Sequence, residues 1–430
     1  MKRLLILLTV MLLLAGTAAA QSHGRGYYKD LFMDSGIMLT SRTDLPVAEL
    51  LDLSMEAFIS TRHSYTEPYR FTATDTLRQR ELIAGSPVDE NGILLYPDGQ
   101  PRFRMVYMNG GRAGKHGTSL EEAGRQAYRD FVAAGGSYLG SCAGAFLASS
   151  GVLSPGSGKI EKKDVYLGLW PGYTTSTELN NSFTALDLEP GRDWADCFDP
   201  GAWAPLDSTR HNGGCFAAEP FPSGTEVLAR YNTGGRKLER NINGLPCIWA
   251  YKASGESGRI ILCGSHPEGA REGANLNLMA ALVRYALAGN GAPRLKAQLR
   301  PGEARRMADR GNPAYAPLGD RQYHHFCIDV PDGVGKMVVD LKGVVGSDDF
   351  DLYLFAGRDG FAYGDNAAWR NIGERVDKKL EIVSPKPGKY YISVFCATTV
   401  MSAMGKYGVE YTGRTDVLNG VPYTIKVLFE

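Results

Sequence analysis

The spacing of apolar residues changes once along this chain, and that change limits the possible fold more than any other feature. Up to about Gly289, short apolar runs alternate with segments whose apolar residues have helical spacing. From about Ala316 onward, apolar residues instead occur at every second position, between turn signals. Alternating strands and helices imply a parallel sheet covered by helices, and two-residue alternation implies an antiparallel sandwich. We therefore predict an α/β domain followed by a small all-β sandwich.

The first twenty residues are typical of a secretory signal peptide. Lys2 and Arg3 precede an almost unbroken apolar run, and three alanines that end at Ala20 supply the small residues needed for cleavage. The apolar run is shorter than the ~20 residues required to span a bilayer. We expect cleavage near Ala20 and a secreted or periplasmic bacterial protein with no membrane span.

These features give a predicted division of the chain. The stretch between the two periodic regions contains glycine, proline and mixed charge but little apolar periodicity, which is typical of a linker. The predicted segments are a signal peptide over 1–20, an extension over 21–35, the α/β domain over 36–289, a linker over 290–316 and the sandwich over 317–430.

The balance of charges narrows the classes of partner that this chain could bind. Lys plus Arg and Asp plus Glu number 47 each, so the balanced surface gives no reason to expect nucleic acid or an acidic membrane as a partner.

Export permits disulfides, but seven cysteines leave at least one thiol unpaired. Cys197 with Cys215 is the bridge we expect if one forms.

Small residues surround Cys142 in a pattern typical of a nucleophile elbow. A strand enters Gly140-Ser-Cys-Ala-Gly144, and an apolar helical pattern leaves it. This strand–turn–helix geometry exposes a nucleophile at a helix N-terminus, where the helix dipole favours a thiolate. The alternative is a structural cysteine in a glycine-rich turn, and so short a motif does not decide between them.

A second motif supplies a base and an acid. An apolar strand that ends near Gly264 delivers His266 and Glu268 at its carboxyl end, where α/β sheets place functional groups. A histidine can take the proton of a thiol, and a nearby carboxylate can orient the ring. Together with Cys142 upstream, this pattern predicts a Cys–His–Glu triad.

A glycine loop provides the third part of the predicted site. Gly110 and Gly111 follow a strand, and their backbone amides can approach a developing oxyanion without obstruction. The amides of Gly111 and Ala143 would form the oxyanion hole, although a plain turn explains the glycines equally well. His116 follows the loop and could line the pocket.

Several segments of the α/β region resemble the class I glutamine amidotransferase superfamily and, more narrowly, the biotin-protein-ligase N-terminal-like domain family. The resemblance spans about 36–289. It implies a flavodoxin-like sandwich with a parallel central sheet, in which Cys142 is the nucleophile, His266 the base and Glu268 its orienter. The segments are Gly135-Gly-Ser-Tyr-Leu-Gly-Ser-Cys-Ala-Gly-Ala145, Asn212-Gly-Gly, Glu226-Val-Leu-Ala-Arg-Tyr and Gly258-Arg-Ile-Ile-Leu-Cys-Gly-Ser-His-Pro-Glu.

The resemblance has limits. No ligase catalytic domain follows, and the sequence has no ATP- or biotin-binding motif, zinc pattern, P-loop or dinucleotide fingerprint. Biotin transfer is therefore not implied, and we expect no cofactor. Asn212, which belongs to one of the similar segments, and Gly110 of the glycine loop are expected in the pocket.

The C-terminal region resembles the bacterial pre-peptidase C-terminal domain, a small jelly-roll-like β-sandwich attached to secreted enzymes. The carrying segments are Phe326-Cys-Ile-Asp-Val-Pro, Asp349-Phe-Asp-Leu-Tyr-Leu and Pro387-Gly-Lys-Tyr-Tyr-Ile-Ser-Val. The resemblance implies an accessory role, such as contact with a cell surface or a glycan. Asp348, Asp349 and Asp351 could ligate Ca²⁺ or could form a solvated strand end.

Three functions compete at this stage. The first is an exported thiol hydrolase that acts on a small-molecule or peptide amide, with glutaminase-, amidase- or peptidase-like chemistry. The second is a secreted binding protein that keeps the fold and attaches through its sandwich. The third, a redox thiol protein, lacks a Cys-x-x-Cys pair and ranks last.

Overall fold

The structure is a computed structural model that describes residues 26–36, 44–59, 72–203, 205–236, 238 and 240–430. The predicted signal peptide lies outside these ranges, as do residues 37–41 of the short strand that the sequence pattern predicts over 36–41. No helix within the ranges is long and apolar enough to cross a membrane.

The part of the chain up to Ala288 alternates between strands and helices as far as Leu153 and is mainly β-strand from there to Cys263. The strands are β1 Lys29–Asp34, β2 Met55–Phe58, β3 Phe103–Met108, β4 Ser137–Ser141, β5 Ser149–Leu153, β6 Ile160–Lys162, β7 Trp170–Ser176, β8 Ser182–Leu188, β9 Leu206–His211, β10 Cys215–Ala217, β11 Glu226–Asn232, β12 Pro246–Tyr251 and β13 Ile260–Cys263. The helices are α1 Pro46–Leu50, α2 Ala73–Ala84, α3 Ala113–Ala133, α4 Ala143–Ala148, α5 Arg192–Ala195 and α6 Gly273–Ala288. Within α3, Glu121 has a φ of 55° and marks a kink.

The remaining part of the chain is almost entirely β. Its strands are β14 Leu295–Gln298, β15 Ala304–Met307, β16 Tyr323–Val330, β17 Lys336–Gly343, β18 Leu352–Gly357, β19 Trp369–Asn371, β20 Lys378–Val383, β21 Gly388–Cys396, β22 Met401–Gly405, β23 Gly408–Thr412 and β24 Tyr423–Phe429. Two short 3₁₀ helices span Pro313–Tyr315 and Thr415–Asn419.

One large sheet organises the first part of the chain. Its strand order is β22-β23-β2-β1-β3-β4-β13-β12-β11-β8-β9. The run β2-β1-β3-β4-β13 is parallel, and the strands beyond β13 continue it antiparallel. The protein is therefore a mixed α/β structure in which the expected parallel sheet is extended by antiparallel strands. A separate four-stranded sheet has the order β10-β7-β5-β6.

Both faces of the large sheet are covered. Phe32 of β1 joins one hydrophobic core, and its neighbours Leu31 and Met33 join the other, as expected for alternating side chains of a strand buried on both sides. On the second face, α6 is apolar around most of its circumference and buries eight side chains. A helix of that composition is stable only when it is packed on several sides.

The C-terminal strands form two sheets around a shared core. Their orders are β14-β16-β21-β18-β19 and β15-β24-β17-β20. Inward-facing side chains of both sheets, such as Ile392 and Val427, belong to one buried cluster. The additional β-sheets in this part of the chain are consistent with the two-residue alternation of the sequence.

The expected extension 21–35 and the expected linker 290–316 both contain strands that join a sheet. Residues 29–34, inside the expected extension 21–35, form β1 in the parallel part of the large sheet. Residues 295–298 and 304–307, inside the expected linker, pair with β16 and β24 of the sandwich. Pairing with strands distant in sequence, rather than local pattern, determines both assignments.

The sandwich is tied to the large sheet by buried charge. Arg102, just before β3, is 1% exposed and donates to Asp320 from the C-terminal part at 3.0 and 3.3 Å. The same guanidinium donates to Asp89 at 3.2 Å. Nearby, Asp98 pairs with Lys296 at 2.5 Å and accepts from Gln322 at 2.8 Å. The two parts of the chain thus share a buried polar interface.

Candidate active site

The carboxyl ends of four parallel strands meet at one edge of the sheet. The register pairs Asp34 with Met108, Met108 with Gly140, and Ser141 with Cys263. The loops that follow β1, β3, β4 and β13 therefore leave the sheet side by side. Edges of this kind are where α/β proteins assemble functional groups.

Cys142 occupies the tight turn between β4 and α4. Its φ is 48° and its ψ is −106°, a backbone conformation that is strained for a residue with a side chain. A Cβ on Gly140 would lie 2.6 Å from a backbone atom of Gly144, and one on Gly144 would lie 2.3 Å from the carbonyl oxygen of Met108. The glycines are therefore required by close backbone approach, as the elbow pattern predicts.

His266 and Glu268 lie together beside this turn. Nδ1 of His266 is 2.8 Å from Oε1 of Glu268, and the histidine backbone amide donates to the carbonyl of Arg210 at 3.0 Å. Burial opposes a charge on the ring, but the nearby Cys142 sulfur and Glu268 carboxylate outweigh it and raise the pKa of His266 to about 10. Nε2 makes no hydrogen bond of normal geometry with any described residue.

The glycine loop closes the site on one side. A Cβ on Gly110 would lie 2.9 Å from Cε1 of His266 and 3.4 Å from Cβ of Cys142. The Gly110 amide donates to the side chain of Asn109 at 2.8 Å, and Gly111 has a φ of 141°. The loop therefore lies close to both Cys142 and His266.

Asn212 closes another side of the site. Its carbonyl oxygen is 3.9 Å from Sγ of Cys142. A Cβ on Gly214 would lie 2.1 Å from the carbonyl oxygen of Gly264, so this loop packs against the segment that carries His266. His211, just before it, is fully buried, and burial followed by the charge of His266 lowers its pKa to about 4. His211 is therefore neutral at physiological pH.

His116 lies behind the glycine loop instead of lining an open pocket. It is 2% exposed, and its Nε2 is 2.9 Å from the carboxylate of Asp34. Asp34 is itself fully buried at the end of β1 and receives the hydroxyl of Tyr128 at 2.8 Å. Sequence reasoning missed Asp34, although an acidic residue at the end of an apolar strand was a usable signal.

The expected disulfide between Cys197 and Cys215 is wrong. All seven cysteines, each of which lies within the described ranges, are free thiols. Cys215 belongs to one hydrophobic core, and Cys197 packs against the other. The large sheet separates the two cores, which is why the pair does not form.

The acidic residues considered for calcium do not form a ligand cluster. Within the described ranges, no group of three or more His, Cys, Asp or Glu side chains is arranged to hold a metal ion. Asp351 accepts the backbone amide of Arg375 at 2.5 Å, and the carbonyl of Asp349 accepts from Arg414 at 2.8 Å. Asp349 and Asp351 thus interact with nearby residues of the C-terminal part.

Comparison with protein families gives one match. The model of the N-terminal region of biotin-protein ligase matches residues 79–178. This segment contains the glycine loop and Cys142 but not Asn212, His266 or Glu268. No curated protein matches the chain.

Solved structures include three informative neighbours. A glutamine amidotransferase is 18% identical, with 43% of this chain and 80% of that chain covered and a TM-score of 0.28. A ThuA-like protein from Bacteroides uniformis is 12% identical, with 62% and 95% covered and a TM-score of 0.33. The pre-peptidase C-terminal domain of a collagenase from Bacillus anthracis is 12% identical, with 32% and 99% covered and a TM-score of 0.18. Similarity at this level says nothing about what this chain binds or converts.

Proposed function

We propose that this chain is an exported cysteine hydrolase that cleaves an amide through Cys142, His266 and Glu268. The observation that carries the proposal is the 2.8 Å contact of His266 with Glu268, directly beside a cysteine held in a strained strand-to-helix turn. A nucleophile, a base and a group that orients the base are the three parts of a thiol hydrolase site. Export rests on the signal peptide predicted over 1–20.

The geometry supports a two-step reaction. The Cys142 thiol gives its proton to Nε2 of His266, while Glu268 accepts from Nδ1–H and fixes the tautomer. The sulfur then attacks the carbonyl carbon of a small-molecule or peptide amide, and the backbone amides of Gly111 and Ala143 stabilise the oxyanion. His266 protonates the departing amine as the C–N bond breaks, and water hydrolyses the thioester.

The protonation of His266 is central to the first step. Burial lowers the pKa of His266, but the Cys142 sulfur and the Glu268 carboxylate outweigh it and raise that pKa to about 10, so the imidazole holds a proton throughout the neutral range. In the proposed first step, that proton comes from the Cys142 thiol. The resulting thiolate–imidazolium pair is the reactive form in cysteine hydrolases. Nε2 of His266 has no hydrogen-bond partner among the described residues. This is compatible with a catalytic role, because catalytic hydrogen bonds are often poorly aligned before the substrate binds.

One observation favours a second candidate, a secreted binding protein. Cys142 is only 6% exposed, and a cavity of about 310 Å³ lies elsewhere, between the α/β part and the sandwich. Asp98, Lys296 and Tyr323 are among its lining residues. In this alternative, the chain would bind a glycan or a cell surface through its C-terminal part and would not use the thiol.

Alkylation of Cys142 separates the two candidates. The mature chain is treated with iodoacetamide from pH 5.5 to 9.5, and each modified thiol is located by peptide mass spectrometry. We expect Cys142 to react quickly well below the free-thiol pKa of ~8.5, and His266→Ala to slow it about tenfold or more at pH 6.5, since the thiolate then forms only by ordinary ionisation.

Cys197 provides an internal control in the same sample. It is half-buried, and burial raises the pKa of its thiol, so it should react slowly near neutral pH. The substitution of His266 should not change its rate. If Cys142 reacts no faster than Cys197, or if His266→Ala leaves its rate unchanged, the hydrolase loses its chemical basis and the binding protein becomes the better proposal.

A further inference from the structure

We propose that Asp34 is a positioning residue that holds the glycine loop 109–111 in the geometry needed to stabilise an oxyanion. This inference rests on the proposed hydrolase function and deepens it, since Asp34 acts through the loop and does not itself touch the substrate. It was not among the residues that the sequence motifs indicated.

Asp34 is fully buried and uses almost all of its polar atoms. Oδ1 accepts the backbone amide of Gly36 at 2.9 Å. Oδ2 is 2.9 Å from Nε2 of His116 and accepts the hydroxyl of Tyr128 at 2.8 Å. Its backbone carbonyl accepts the amide of Asn109 at 3.0 Å. A buried carboxylate with this many donors is held in one orientation.

These contacts tie both ends of the loop to one residue. The loop begins at Asn109, which is bonded to the Asp34 carbonyl. It ends where α3 begins, and His116 in the first turns of that helix is bonded to the Asp34 carboxylate. The middle of the loop lies close to the backbone that follows Asp34, since a Cβ on Gly36 would lie 3.2 Å from the carbonyl oxygen of Gly110.

The loop needs such support because glycines do not hold themselves in place. Glycine has the largest backbone freedom of any residue, so a glycine loop keeps its amides aimed only when its surroundings fix it. Misplacement of a reacting group by about 1 Å can cost about a hundredfold in rate. An oxyanion hole is sensitive to this because its donors must meet the position of the developing charge.

Two reactions of the same thiol distinguish loop positioning from general damage. With iodoacetamide, the sulfur displaces iodide at a saturated carbon, and no oxyanion forms. With p-nitrophenyl acetate, the sulfur attacks the carbonyl carbon, a tetrahedral oxyanion forms, p-nitrophenolate leaves, and an acetyl thioester remains on Cys142. The ratio of acylation rate to alkylation rate therefore measures the oxyanion contribution alone.

The experiment compares the full-length purified chain with Asp34→Asn at pH 7. We expect acylation of Cys142 to fall about a hundredfold in the variant, while alkylation changes less than about threefold because His266 and Glu268 are untouched. Asp89→Asn is the matched control. It also replaces a buried carboxylate, but that carboxylate is bonded to Arg102 at the interface between the α/β part and the sandwich. Its rate ratio should equal that of the unmodified chain.

A second variant keeps the test decisive if Asp34→Asn does not fold. His116→Phe leaves Asp34 in place, keeps an aromatic ring and removes only the nitrogen that ties the helix end of the loop to the carboxylate, so it should lower the acylation rate selectively. Equal loss of both reactions in the folded variants, or no loss of either, overturns the positioning role. An unmodified chain whose Cys142 is alkylated rapidly but never acylated would instead refute the hydrolase itself, and with it the role of the loop.

Discussion

Replacement of Asp320 by asparagine should cost about 3–5 kcal/mol of folding free energy, the range for breaking a buried ion pair from one side. Arg102 and Asp320 are each about 1% exposed and are joined by two contacts of 3.0 and 3.3 Å. The variant keeps an oxygen that can accept from Arg102 but removes the negative charge, so the buried guanidinium retains one carboxylate partner, Asp89 at 3.2 Å. Because Arg102 is buried, water cannot replace the carboxylate that the substitution removes.

Asp89→Asn is the control for the free-energy cost of Asp320→Asn, because it replaces the other carboxylate bonded to Arg102. Burial is the largest influence on Asp89 and raises its pKa to about 6, even against the attraction of Arg102. At pH 5 the folded protein therefore already carries a mostly protonated Asp89, which asparagine resembles. We expect its replacement to cost about 1 kcal/mol at that pH, the usual value of one hydrogen bond.

Urea denaturation at pH 5 measures both variants. Tryptophan fluorescence and far-UV circular dichroism should be followed together, because coincident transitions are required before one free energy is assigned to a chain of this size. The reasoning is refuted if Asp320→Asn costs less than about 1 kcal/mol or no more than Asp89→Asn. Either result would mean that water reaches Arg102 when its partner is removed.

Two further predictions concern the stability of the whole chain. Gly264→Ala should destabilise by about 3 kcal/mol or more, because the new Cβ would lie 1.8 Å from the carbonyl oxygen of Cys215, whereas Gly114→Ala, which meets nothing within 4 Å, should be neutral or slightly stabilising in the same denaturation assay. Burial lowers the pKa values of His211 and His324 to about 4, below the ordinary 6.5, so their contribution is complete above pH 6.5 and is lost as the pH falls toward 4. Urea midpoints measured from pH 7.5 to 4 should fall steeply in that interval, and a flat profile would contradict the assignment of both rings as neutral in the fold.

The residues around the site were largely predictable because strong local patterns specify them. A strand precedes the glycine loop as expected and spans Phe103–Met108, and the Cys142 elbow and the His266 loop also follow strands. Glycines at close backbone approaches and short buried strands leave clear marks in a sequence. The meeting of these loops follows from the parallel register of the strands that precede them.

The segments that the sequence did not predict depend on distant partners. The stretch from Leu45 to Ile59 has helical apolar spacing, but only Pro46–Leu50 is helical, and Met55–Phe58 forms a strand because it pairs with β1. β14 has the pattern of an exposed linker, with Leu295 42% exposed, yet it pairs with β16. The role of Asp34 was not predicted for the same reason, since its partners His116 and Tyr128 lie on a helix about 80 to 95 residues further along the chain. Tertiary pairing overrides local preference at each of these positions.

The hairpin of β22 and β23 has a consequence for how the protein is made. It covers the outer edge of β2, with Ile59 donating to Tyr407 at 2.9 Å. That edge is synthesised roughly 350 residues before its cover, an interval of about 20–70 s at 5–20 residues per second. Until then β2 presents unpaired backbone groups, the kind of edge that recruits other chains. The edge of β2 can therefore be covered by its own hairpin only after nearly the whole chain has been made, and shielding of this edge until then would raise the yield of folded molecules.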